Sequence, residues 1–208
     1  MKLALIIPTL NRYNVLKRTL SYYNYVKCTH PIYIGDASIM DVSIKTQEYI
    51  QNQQYLNINY YHWEGLSTEK TIGKLLDKAS VKCKYFSFQG DEDLFIPSSL
   101  TKCVEFLELN PEFKTAQGYA ALAVVSSSVG NNRELSVGQY WGINSLDDST
   151  MYRRFLKFRQ NYFVIQFSVQ KISDYLPYKT TFISINDHGL SELFHCYTTA
   201  ITGKSKFI

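Results

Sequence analysis

The stretch Lys84-Tyr85-Phe86-Ser87-Phe88-Gln89-Gly90-Asp91-Glu92-Asp93, with Pro97 shortly after it, decides how this chain is read. Lys84 to Phe88 is a short apolar and aromatic run, which suits a strand buried on both faces. It stops at a glycine and three adjacent acids. Pro97 then opens a helix with Leu100, Val104 and Leu107 on one face, ended by Asn110-Pro111. The same strand, polar loop and helix recur upstream. Leu3 to Ile7 is closed by Pro8 and followed by Val15, Leu16, Leu20 and Tyr23 at helical spacing. Pro31 to Ile34 precedes Gly35-Asp36-Ala37-Ser38 and a helix over about 41–53, with Val42, Ile44, Tyr49 and Ile50 as its apolar members. Ile58 to Trp63 precedes a helix over 67–79 built on Ile72, Leu75, Leu76 and Ala79. Such units in succession predict the α/β class: a Rossmann-like, mostly parallel sheet flanked by helices on both faces.

Beyond Pro111 the pattern loosens into a smaller mixed part. Residues 115–128 and 135–143 read as strands returning on each other through Gly130-Asn131-Asn132, which has turn chemistry. Met151 to Arg159 reads as a helix and Tyr162 to Val169 as an aromatic strand. The last helix is expected over 185–202, with Leu190, Leu193, Phe194, Tyr197 and Ile201 as its buried stripe and Gly203 at its end. With no repeat or flexible linker, residues 1–208 are expected to form a single domain. The segment after Gly203 reads as a helix stop and the start of a strand, so a piece of a longer polypeptide is also expected.

The 208 residues are 45% hydrophobic, 15% aromatic and 19% charged, which excludes a disordered or collagen-like chain. A net charge of +4 without a basic stripe argues against nucleic acid as a partner. Cys28, Cys83, Cys103 and Cys196 are scattered, as free thiols in a reducing compartment would be. The N-terminal apolar run is too short for a signal peptide, and no run approaches the ~18 apolar residues of a membrane span. The expected location is cytoplasmic, with peripheral contact at the inner membrane face left open. Rossmann glycine, P-loop, nucleophile-elbow and zincin motifs are all missing.

In a doubly wound sheet, ligands bind beyond the carboxyl ends of the strands. Those ends carry Pro8-Thr9-Leu10-Asn11-Arg12, Asp36-Ala37-Ser38 and Asp91-Glu92-Asp93, so their polar groups converge on one edge. Carboxylates spaced i, i+2, here Asp91 and Asp93, can share a divalent cation such as Mg2+ or Mn2+ that keeps positions open for phosphate oxygens. The competing reading is a solvated acidic turn that caps the helix at Pro97. Arg12 suits diphosphate oxygens and Asp36 a ribose hydroxyl or a base N–H. Asn11-Arg12 as a plain helix start, and Asp36 with Ser38 as an Asx turn, compete with that.

Taken in order, "LALIIPTLNR", "IGDAS" and "YFSFQGDEDLFIP" resemble the family 2 glycosyltransferases of the GT-A fold, in particular the bacterial group with a G-D-D-D-like motif followed by Pro. The resemblance covers about residues 1–110 and is weaker in "DHGLSELF" and "ITGKSKFI". It implies a nucleotide-sugar donor, usually a UDP-sugar, in the half over 1–110, and an acceptor side over 111–208. Pro8, Thr9, Asn11 and Arg12 would border the nucleotide and Asp36 the base or ribose. Asp91 would lie near the ribose and Asp93 near the metal and diphosphate. Glu92, one methylene longer than the Asp of the motif, leaves the choice of metal carboxylate open.

The implied reaction is a metal-dependent, inverting transfer to a hydroxyl of a glycan, lipid-linked or protein acceptor, as in polysaccharide biosynthesis. A carboxylate base is implied near the start of a late helix. Asp187 and Glu192 are the candidates, against readings as N-cap and solvated residue. Asp147-Asp148 is a third pair, more often a cap. Lys70 and Lys74 are expected to be solvated, and His188 and His195 to be surface or core residues. Competing classes are a non-catalytic GT-A-like module in a larger assembly and a nucleotidyltransferase, the latter disfavoured by the lack of Gly after the first strand. The aromatics after Gly118, among them Tyr119, Tyr140, Trp141, Tyr152, Phe155, Phe158, Tyr162 and Phe163, are expected mainly in the core, with some lining an acceptor cleft.

Overall fold

The computed structural model describes residues 2–127, 133–139 and 145–208. Its parallel half follows the expected units: β1 (Leu3–Thr9), α1 (Tyr13–Tyr25), β2 (Ile32–Asp36), α2 (Met40–Gln51), β3 (Ile58–His62), α3 (Thr68–Ser80), β4 (Tyr85–Phe88) and α4 (Pro97–Leu109). There follow β5 (Phe113–Gln117), the hairpin β6 (Ala121–Ser127) and β7 (Arg133–Gln139), α5 (Met151–Gln160) and β8 (Val169–Lys171). Short helical turns α6 (Ile172–Tyr175) and α7 (Lys179–Ser184) lead to α8 (His188–Thr202) and β9 (Lys204–Phe207). The main sheet runs β3-β2-β1-β4-β8-β5-β9, with β6 and β7 a separate antiparallel pair. β8 pairs antiparallel with both β4 and β5, and the remaining pairs are parallel. The turn at Gly130-Asn131-Asn132, and Tyr140 and Trp141, lie outside the described residues.

β1 is an inner strand of the sheet, buried on both faces, and its alternation divides the core. Leu3, Leu5 and Ile7 pack with α1 and α4 through Leu16, Leu20, Leu100, Val104 and Leu107. Ala4 and Ile6 face the other layer, with Ile72, Leu75 and Leu76 of α3 and with Tyr175 and Phe182. A strand buried on both faces needs apolar residues at every position, which is why this stretch is continuous rather than alternating. α3 lies close over β2, because a Cβ on Gly35 would sit 2.3 Å from Thr71 Cγ2. That contact aims the N-terminus of α3 at the end of the sheet.

Three expectations are corrected. Tyr162 to Val169 is not a strand: only Val169 enters the sheet. Phe163 and Ile165 instead bury in a cluster with Leu146, Phe158, Cys196 and Ala200, and the chain curls where Ser168 N–H donates to the Ile165 carbonyl. In α2, Ile44 is exposed and Ser43 and Thr46 are buried. α8 starts at His188, and its buried face is Ser191, His195, Cys196, Thr199 and Ala200, while Leu190 and Leu193 are exposed. It lies against α3, α5 and two strands, and such crowding favours small side chains on the packed face. The aromatics of this part are mostly structural: Phe158 meets Phe163 and Tyr197 edge to face and Tyr162 at a tilt, Tyr162 stacks on Tyr197, and Tyr119 and Tyr152 are exposed. All four cysteines are free and buried. Among the described residues no helix is long and apolar enough to cross a membrane.

Candidate active site

The carboxyl ends of β1, β2 and β4 open onto a cleft of about 560 Å3. One wall is Pro8, Thr9, Leu10 and Arg12, with Ala37 beyond β2. A second is Gly65 to Glu69 and Thr71, the entry to α3. Gly90, Asp91 and Glu92 form the floor, and Asn186, Asp187 and His188 close the side at the start of α8. A parallel sheet places these segments together because each strand delivers its chain to the same edge.

The loops after β1 and β2 are laced to each other. Asn11 adopts φ 54°, a left-handed conformation that Asn tolerates better than most residues. Its N–H donates to Ser38 Oγ at 2.6 Å, and its Oδ1 accepts from Ile39 N–H at 3.2 Å. Arg12, not Asn11, is the N-cap of α1, and it makes no side-chain cap. Asp36 is fully buried and both its oxygens are used, one by Ser38 N–H at 2.8 Å and one by the Tyr60 hydroxyl at 2.7 Å. Asn11 and Asp36 therefore brace the loops behind the cleft and do not line it.

The acidic turn does not cap α4, whose N-cap is Ile96 without a side-chain bond. Asp91 is 3% exposed. Its Oδ2 accepts from Thr9 Oγ1 at 2.7 Å, and its Oδ1 lies 2.8 Å from an Arg12 nitrogen that is also 2.8 Å from Glu92 Oε2. Burial pushes the Asp91 carboxyl well above the usual range, and Thr9 and Arg12 offset only part of that. Glu92 is held low, first by its hydrogen bond with Asp91 and further by Arg12. Asp93 is raised by burial and by the charge of Glu92, but its Oδ2 turns back to accept from Gly90 N–H at 3.2 Å. The cleft thus receives Asp91 and Glu92, not Asp93. Among the described residues no group of three or more His, Cys, Asp or Glu is arranged to hold a metal ion unaided.

Across the cleft, Asp187 is the N-cap of α8 and accepts from Leu190 N–H at 2.8 Å, with an exposed side chain. Glu192 points elsewhere: it accepts from the Tyr162 hydroxyl at 2.8 Å and from Gln166 Nε2 at 3.2 Å, and does not line the cleft. Asp147 and Asp148 lie near Lys157, and Thr150 caps α5 in their place. Lys74 sits over the Trp63 ring, outside the cleft. His195 is completely buried, and burial pushes it down to about 3, so it stays neutral and structural.

Glu69 was not singled out from sequence. It is 5% exposed, lines the cleft from the first turn of α3, and meets the Ser191 hydroxyl at 3.2 Å and His188 Nδ1 at 3.5 Å. An acid in a first helical turn ordinarily serves the helix dipole. The available signal was its place in the helix that follows β3, at the ligand edge.

The topology matches solved structures throughout. S. aureus TarS 1–349 in complex with UDP aligns at TM-score 0.61 and 12% identity, over 100% of this chain and 61% of that one. The GT-A-like fold is therefore the fold of this chain. TarS 1–349 in complex with UDP-GlcNAc shares the GT-A-like fold at TM-score 0.58 and 14% identity, over 85% of this chain and 47% of that one. The 4-diphosphocytidyl-2C-methyl-D-erythritol synthase of Anaerococcus prevotii DSM 20548 aligns at 0.57 and 12% identity, over 100% and 86%. The chain spans less than two thirds of each of these TarS structures. No protein-family model matches the sequence, and no curated protein does.

Proposed function

We propose that this chain is a nucleotide-sugar-dependent glycosyltransferase that transfers a sugar, with inversion, to an acceptor hydroxyl. The observation that carries this reading is one cleft lined by Arg12, Asp91 and Glu92 on one side and Asp187 on the other. A cation for the diphosphate and a carboxylate for the acceptor are the two groups that a single displacement needs. UDP is the favoured nucleotide, supported by the resemblance in the first 110 residues and by the UDP and UDP-GlcNAc bound to TarS.

In this mechanism Arg12 turns from the acids to the diphosphate oxygens, which a guanidinium can grip bidentately. Asp187, exposed at the cleft, takes the acceptor proton as the hydroxyl oxygen bonds to the anomeric carbon and the diphosphate departs. Its single structural bond, to Leu190 N–H, leaves carboxylate lone pairs for that proton. The buried hydrogen-bond lattice around Asp36 and Ser38 holds the wall rigid.

The acidic floor fits a divalent cation. All its donors are oxygens, and Arg12 offsets only part of the burial that raises the Asp91 carboxyl, so a cation beside it would favour its charged form. Asp91 and Glu92 would hold Mg2+ or Mn2+ with phosphate oxygens and water completing the shell, and the cation supplies charge stabilisation for the departing diphosphate. Calorimetry with UDP and UDP-sugars, with and without Mn2+, followed by a donor-hydrolysis screen, tests the reading. Binding of a nucleotide diphosphate, strengthened by metal and abolished in Asp91→Ala, is expected. Failure to bind any nucleotide diphosphate refutes it. The acceptor is read as a glycan, lipid-linked or protein hydroxyl reached from the side of residues 111–208. A cytoplasmic location for the chain as one domain, with room for peripheral contact at the inner membrane face, is part of the same proposal.

A further inference from the structure

We propose that Glu69 selects the donor sugar: its carboxylate accepts hydrogen bonds from ring hydroxyls of a neutral sugar and repels uronates. The inference rests on the nucleotide-sugar reading above and adds the chemical class of the sugar.

The acceptor oxygen loses its proton to Asp187 while it bonds to the anomeric carbon, so the sugar ring lies within reach of the first turn of α8. Glu69 adjoins that turn. Its Oε1 faces the Ser191 hydroxyl at 3.2 Å and His188 Nδ1 at 3.5 Å, and His188 follows Asp187 directly in the chain. Among the described residues, no hydrogen bond or ion pair engages Oε2. Oε2 is not among the buried oxygens left without a partner, so its donors come from the cleft, as water or as ligand hydroxyls. The residue lines the cleft, so a ligand there can supply them.

A sugar ring presents adjacent hydroxyls, and an ionised carboxylate is an acceptor-only group with lone pairs to receive them. The Ser191 hydroxyl has one proton, shared between the His188 carbonyl at 2.8 Å and Glu69 Oε1 at 3.2 Å, and this three-centre contact holds Glu69 against the helix before the ligand arrives. The charge that welcomes hydroxyls also discriminates. A uronate brings a second carboxylate to a poorly solvated wall, where like charges repel more strongly than in water. His188, whose Nδ1 lies 3.5 Å from Oε1, is mostly exposed, with a side chain 69% accessible, and offers little compensation. Neutral hexoses and N-acetylhexosamines are therefore the donors, and hexuronates are excluded.

Calorimetry on wild type and Glu69→Gln tests this, first with UDP and GDP, then with the neutral-hexose and hexuronate conjugates of whichever nucleotide binds. Wild type is expected to favour the neutral conjugate at least about tenfold. Glu69→Gln is expected to bind bare nucleotide within about twofold of wild type, to lose about tenfold on the neutral conjugate, and to narrow the neutral-to-uronate ratio. Equal weakening of nucleotide and conjugate, or unchanged discrimination, overturns the proposal and leaves the proposed function standing. Binding of neither nucleotide by wild type overturns both. Should Glu69→Gln not fold, Glu69→Asp decides: it keeps the charge one methylene back, so discrimination against the uronate persists while the neutral conjugate weakens. Loss of that discrimination refutes the role.

Discussion

Replacing Thr9 by Val keeps the side-chain shape and removes one hydroxyl, the donor that Thr9 gives to Asp91 Oδ2 at 2.7 Å. Both residues are buried, at 7% and 3% exposure, so water does not replace the lost bond. A hydrogen bond to a charged group contributes about 1.5–3 kcal/mol. For a domain of this length each kcal/mol moves the melting temperature by about 2–4 °C, giving an expected drop of about 3–12 °C at pH 8.5. The loss depends on pH in a defined direction. Burial raises the Asp91 carboxyl and Thr9 favours its charged form, so Thr9→Val raises it further. The stability that Thr9 contributes is thus present where Asp91 is ionised and fades as pH falls through the raised range of that carboxyl. Thermal melts of both proteins at pH 5 and pH 8.5 read this directly. An equal loss at the two pH values, or none at pH 8.5, refutes the account of Asp91 as a buried acid kept charged by its neighbours.

Arg12→Ala removes the cation shared by Asp91 and Glu92, and donor affinity is expected to fall at least about tenfold by calorimetry. Asp187→Asn is expected to lower kcat by about 10²–10⁴ with little change in KM, and at least about a hundredfold more than Glu192→Gln, measured by steady-state transfer. Similar losses in the two variants would return Glu192 to the role of base. Arg154→Met tests the far end of α8: the buried guanidinium donates to the carbonyls of Ala200 (3.1 Å), Ile201 (2.8 Å), Asp148 (2.9 Å) and Ser149 (3.3 Å). Its loss is expected to cost about 3 kcal/mol in urea unfolding, and a cost below about 1 kcal/mol would show that water satisfies those carbonyls.

Where the sequence misled, the error had a physical source. Phe194 and Tyr197 of the expected stripe pack against the core, yet Leu190 and Leu193 are exposed while Ser191, His195, Cys196, Thr199 and Ala200 are buried, because the face a helix buries is set by where its neighbours lie. Periodicity measures amphipathicity, not the depth of the groove a helix must enter. The aromatic run from Tyr162 failed as a strand for a related reason: its side chains found a better cavity between α5 and α8 than a place in the sheet. Asp36 and Asp93 sit at strand ends as expected, but both Asp36 oxygens and Asp93 Oδ2 are claimed by local donors that strand-end position does not reveal.

The strand, loop and helix units of the parallel half were determined by the sequence alone, because continuous apolar runs, helical spacing and breakers such as Gly90 and Pro97 are local properties. The ligand edge followed from them, since parallel strands all deliver their loops to one end. Only the tertiary structure decided which groups meet there. Thr9 and Arg12 reach Asp91 from the other end of the parallel half, and Glu69 meets Ser191 across 122 positions of chain. Such encounters depend on burial and on the close approach of α3 to Gly35, and neither is written in the spacing of residues along the chain.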